Sequence, residues 1–140
     1  WVYGNHGNNF MRTMLRVGAE REQLRVVADQ FGTPTSAQLI AEVTGQVIES
    51  GSLRSGTWHL TAVGETSWHA FAQEIFDQAF AVGLLNRKPE VTAISTSEYP
   101  TRARRPAYSC LDTSTLREDF GLSLPDWRQA LARVLDSATL

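Results

Sequence analysis

The densest chemistry in this sequence is the stretch Tyr99 to Pro106, YPTRARRP, where Arg102, Arg104 and Arg105 fall within four residues between two prolines. A guanidinium fork meets phosphate oxygens two at a time and keeps its charge at any working pH, so the loop suits a phosphate or diphosphate. The same cluster also reads as a solvated basic loop, and spacing alone does not choose between the two. A second candidate is Val26 to Thr35, VVADQFGTPT, in which a short β-branched run leads into Asp29 and Gln30, then Gly32 and Pro34. A strand that ends in a polar turn before a helix is a common place for ligands in α/β proteins. A plain βα connection would look the same, with Asp29 bonding N–H groups of the turn.

The other reactive residue types carry less. His6, His59 and His69 share no metal-ligand spacing and read as packing or surface histidines. Cys110 is the single cysteine, so no intrachain disulfide can form, and its neighbours offer nothing to stabilise a thiolate. Glu20, Glu22 and Asp77 fall on helix faces as solvated charge. Gly4 and Gly7 lack the G-x-G-x-x-G spacing of a dinucleotide turn, and Lys88, the sole lysine, has no tyrosine four residues before it. Catalytic, cofactor-binding and metal-ligating residues are therefore expected to be absent from this chain.

The elements that position these residues follow from periodicity. Trp1-Val2-Tyr3 reads as a strand, and Asn8 or Asn9 caps a helix that carries Phe10, Met14 and Val17 up to about Gln23. Leu24 to Ala28 is the second strand. Thr35 and Gln38 have capping-box spacing before a helix over 36–50, whose Leu39, Ile40, Val43, Val47 and Ile48 share one face. Thr57 to Thr61 alternates as a strand should. Ser67 caps a helix through about Val82, with Phe71, Ile75, Phe76 and Ala79 inward. Val91 to Ile94 is a short strand, and Ser95 to Tyr108 is irregular. A short helix runs to Phe120, and a last one begins at Leu124-Pro125. Helices alternate with short strands and then dominate, an α/β pattern with too little sheet to look complete.

Composition sets the bounds. With 140 residues, 42% hydrophobic and 20% charged, the sequence fits one globular domain over 1–140. A net charge of −2 with no basic tract makes nucleic acid or an anionic membrane an unsuitable partner. No apolar run approaches the ~18 residues of a membrane span. The reduced cysteine fits a cytoplasmic location. The chain opens on a strand already running, without methionine, which suggests a piece of a longer protein.

Taken together, Trp1-Val2-Tyr3-Gly4 with Asn9-Phe10, then DQxGxPT over 29–35, Gly56-x-x-His59-Leu60, Tyr99-Pro100-Thr101, and Arg105-Pro106-x-x-Ser109-x-Leu111-Asp112 resemble the dTDP-4-dehydrorhamnose reductase family. Phe120-Gly121-x-x-Leu124-Pro125-x-Trp127 fits as well. These are extended short-chain dehydrogenase/reductases, and the resemblance covers essentially the whole chain as their C-terminal, substrate-binding half. It implies an α/β fold whose N-terminal Rossmann domain is missing here. That domain would bind NADPH and carry the Tyr-x-x-x-Lys pair. The full enzyme reduces dTDP-4-dehydro-L-rhamnose to dTDP-L-rhamnose, so this half would bind the dTDP-sugar and be inactive alone. Trp1 would wall the hexose, Arg105 would pair with the diphosphate, and Gln30, Pro34 and Thr35 would lie near the nucleotide. Some relatives hold magnesium through glutamates at a dimer interface, and this chain has Gln38 at one such position. Strand edges left without the parent sheet imply a homo-oligomer. A non-catalytic module of the same fold, or a reductase or epimerase for another nucleotide-sugar, would share these motifs.

Overall fold

A broad apolar stripe on one helix organises the architecture. Helix α3 (Trp68–Ala81) buries Phe71, Ala72, Ile75, Phe76 and Ala79, too broad a face for one neighbour to cover. In the computed structural model, which describes residues 1–138, α3 packs on helices α1 (Phe10–Glu20) and α5 (Trp127–Asp136) and on strands β2 (Gln23–Val27) and β6 (Glu90–Ile94). Helix α1 comes close because Gly18 faces α3. A Cβ there would stand 2.5 Å from the Phe76 ring. Met11 and Leu15 of α1, Leu24 and Val26 of β2, and Trp127 and Leu131 of α5 complete the core.

The strands pair in three separate couples. β2 and β6 run parallel in full register from Gln23–Glu90 to Val27–Ile94, and Ala28 N–H extends the ladder to Ile94 O at 2.9 Å. Strand β1 (Val2–Tyr3) lies parallel to β4 (Thr35–Ser36). Strand β3 (Phe31–Gly32) is antiparallel to β5 (Thr66–Ser67). Helices α2 (Ala37–Glu49) and α4 (Ser114–Phe120) complete the α/β fold. No helix among the described residues is long and apolar enough to cross a membrane.

Three local expectations are corrected. Thr57 to Thr61 forms no strand. Burial alternates only as far as Leu60, with Trp58 and Leu60 half-buried, while Thr61 is buried as well and no ladder partner lies alongside. Trp58 instead bonds Asp119 (2.8 Å) and packs edge-on against Phe120. The cap of α2 is Ser36, not Thr35, and its hydroxyl accepts from Leu39 N–H at 3.1 Å. Thr35 is still strand, since its N–H donates to Trp1 O at 3.0 Å. The last helix starts at Trp127, capped by Asp126 rather than opened by Pro125. Asn9 and Ser67 cap α1 and α3 as expected.

Candidate functional site

The turn after β2 reaches across the molecule to hold Trp1. A Cβ on Gly32 would lie 2.4 Å from Trp1 Cε2, so only glycine lets the indole settle there, and Thr35 N–H pins the Trp1 carbonyl. Trp1 then stacks on Trp68, with ring centroids 3.6 Å apart and planes 11° from parallel, and Phe10 tilts against Trp68 at 4.6 Å. The aromatic wall is thus a pair of indoles rather than Trp1 alone, and Trp68 occupies one face of Trp1. Sequence reading missed Trp68. The available signal was an aromatic at the first helical position, three residues before Phe71, on the same stripe but beyond the core.

This wall and the strand residues Val26 and Val27 line a cleft of about 700 Å³. Tyr99, Thr101, Arg105, Pro106 and Gln30 line the same cleft. Trp1, Gln30 and Arg105, distant in sequence, are therefore brought to one cavity. Pro34 and Thr35 are not. Both are buried away from the lining, with the Thr35 hydroxyl donating to Thr33 O (3.1 Å) and accepting from Ala62 N–H (3.3 Å). Thr35 touches Trp1 through its backbone N–H, and Pro34 is buried between Thr33 and Thr35 in the chain.

The arginine loop is anchored at its C-terminal end to β3. Phe31 N–H donates to Ala107 O at 2.8 Å, and Ser109 N–H returns the bond to Phe31 O at 2.9 Å. Beside it, Tyr108 Oη donates to Glu65 at 2.8 Å, and that bond pushes the phenol up to about 12, so it stays protonated. Arg102, Arg104 and Arg105 are exposed, and among the described residues no carboxylate pairs with any of them. Arg25, also in the lining, is committed to Glu98 at 2.8 Å. Arg105 is therefore the cation in the cleft that is left for an anionic ligand.

The main partner of Asp29 is Thr96 rather than its own turn. Its carboxylate accepts from Thr96 N–H (2.9 and 3.0 Å) and from the Thr96 hydroxyl (2.6 Å), contacts that hold it below the usual carboxylate range. The same hydroxyl accepts from Gln30 Nε2 at 3.0 Å. Gln38 is exposed on α2 and bonds Glu42 (2.9 Å), and no cluster of three metal-ligating side chains occurs among the described residues.

A family model described as "RmlD substrate binding domain" matches residues 1–140. The chain belongs to this family. It is 42% identical over 139 residues to the dTDP-4-dehydrorhamnose reductase of Escherichia coli, an alignment covering 97% of this chain and 46% of that protein. It is 44% identical over 140 residues to the reductase of Burkholderia thailandensis, covering 94% and 47%. Among solved structures, the Bacillus anthracis dTDP-4-dehydrorhamnose reductase in complex with NADP superposes with a TM-score of 0.88 at 38% identity, covering 99% of this chain and 46% of that one. The chain thus spans about half the length of the relatives it matches.

Proposed function

We propose that residues 1–140 act as one unit, the nucleotide-sugar-binding half of a dTDP-4-dehydrorhamnose reductase. The observation that carries this reading is the cleft itself, which brings the stacked indoles and an unpaired Arg105 to one cavity. An indole face suits the apolar face of a pyranose or the plane of a base, and a free guanidinium suits the diphosphate between them. Trp1 walls the hexose, Gln30 contacts the ligand, and Pro34 and Thr35 act through Trp1. The similarity to reductases over nearly the whole chain supports dTDP-4-dehydro-L-rhamnose as the substrate.

NADPH would supply the hydride for such a reduction, but these residues do not suit a dinucleotide. Phosphates commonly sit on free N–H groups at a helix N-terminus. Here one first-turn N–H in each of α1, α2, α3 and α5 is taken by the side chain of Asn9, Ser36, Ser67 or Asp126, and α4 is a short helix of 7 residues. No reduction step is therefore assigned to this chain, and it is expected to be inactive by itself. A cytoplasmic setting agrees with the free Cys110.

Calorimetric titration with dTDP and dTDP-L-rhamnose tests the reading. Saturable binding is expected, weakened about tenfold or more by Arg105→Ala through loss of a charge-assisted contact. No binding at millimolar ligand, or equal binding by the variant, would overturn it.

A further inference from the structure

A glutamine amide has a donor end and an acceptor end of nearly equal shape, and which one faces the cleft decides what it can recognise. At Gln30 the choice is made by neighbours outside the cleft. Ionised Asp29 has no proton to give, so the 2.6 Å contact to Thr96 Oγ1 requires the Thr96 hydroxyl to donate. Thr96 Oγ1 then has only lone pairs to offer Gln30. The Gln30 atom 3.0 Å away must be the NH₂, which turns the carbonyl Oε1 away from Thr96. No other hydrogen bond engages the Gln30 side chain among the described residues, and Gln30 lines the cleft. The chain from carboxylate to hydroxyl to amide runs in one direction, and each link polarises the next.

We propose that Asp29 and Thr96 are positioning residues that fix Gln30 as a hydrogen-bond acceptor, so that Gln30 selects ligands presenting an O–H or N–H donor. The proposal rests on the nucleotide-sugar reading above. Two parts of such a ligand carry suitable donors, the hexose hydroxyls and the imide N–H of thymine. A carbonyl or a bare ring nitrogen set against Oε1 would place acceptor against acceptor and bind more weakly.

The test uses Thr96→Val, Thr96→Ser, Gln30→Leu and the Gln30→Leu/Thr96→Val double variant, titrated with dTDP and dTDP-L-rhamnose. Thr96→Val is expected to weaken binding about tenfold, with Thr96→Ser restoring it. In the Gln30→Leu background the same Thr96→Val change should do nothing further, because Thr96 acts through Gln30. A residue that merely shaped the loop would weaken binding in both backgrounds, and that outcome overturns the proposal. Equal loss for both probes places the donor in the nucleotide, and loss for dTDP-L-rhamnose alone places it in the hexose. The free protein supplies a readout independent of any ligand. In NMR spectra a nuclear Overhauser contact between the Gln30 amide protons and the Thr96 side chain is expected. Its absence would sink the proposal even if both probes bind, whereas its presence with no binding by the wild type would sink only the nucleotide-sugar reading.

Discussion

Gly32 carries more of this site than its size suggests. Its backbone needs no unusual conformation, so the demand for glycine is steric, set by the Trp1 ring 2.4 Å from where a Cβ would stand. Gly32→Ala should push the indole out of its seat at a cost of about 1–3 kcal/mol. A lowered melting temperature by scanning calorimetry, together with weaker dTDP-L-rhamnose binding, is the expected result. The acidic residues behind the cleft respond to pH with a definite sign. Asp29 is held low chiefly by the Thr96 hydroxyl and amide, and Glu98 chiefly by the Ser95 amide and hydroxyl. Because folding depresses both, the stability they add is present above their unfolded values and is lost as pH falls through the folded ones. The Thr96 and Ser95 amide resonances should therefore titrate with midpoints below the ordinary carboxylate values of ~3.9 and ~4.3 and stay unchanged near neutrality. Midpoints at or above those values would contradict the assigned contacts.

At the scale of elements, caps and stops were readable in the sequence because each is a local event. Asn9 and Ser67 cap where their hydroxyl or amide meets the next turn, and Gly51, Gly83 and Gly121 follow their helices at φ between +63° and +77°. What depended on a partner was less legible. The alternation of Thr57 to Thr61 matches the burial of Trp58 and Leu60, misses that of Thr61 and predicts the wrong hydrogen bonding, since a ladder needs a second strand that local pattern cannot announce. The α2 cap shifted by one residue because Thr35 is held as strand by Trp1, thirty-four positions earlier. Thr96 gave no signal at all, since its worth lies in meeting Asp29 across 67 residues of chain. For the same reason, Ser36 rather than Thr35 is the residue whose hydroxyl holds α2. Ser36→Ala should cost about 1 kcal/mol in denaturant unfolding. An unchanged midpoint would show the cap to be idle.

For the whole molecule, the salient fact is how little sheet there is. β2 and β6 form a two-stranded parallel couple, and parallel strands are seldom stable without further strands beside them. We propose that the unpaired edges associate with a second copy of this chain. Sedimentation at rising concentration should show a dimer or larger species. A monodisperse monomer with protected amides in both strands would exclude it. The family's motifs were legible from Trp1 to Trp127 because they mark sites where backbone, cleft and core meet. The depth of the cleft was not legible, because Trp68 declares itself only once α3 is set against Trp1.

That stack has an optical consequence. Two indoles at 3.6 Å and 11° couple their electronic transitions, so the pair should give an exciton couplet in circular dichroism that neither Trp58 nor Trp127 produces. A sugar or base that slides against the pair changes the angle between the two transition moments, and with it the sign or size of the couplet. The cleft thus carries its own chromophore. Occupancy could be followed in solution without label, dye or enzymatic turnover.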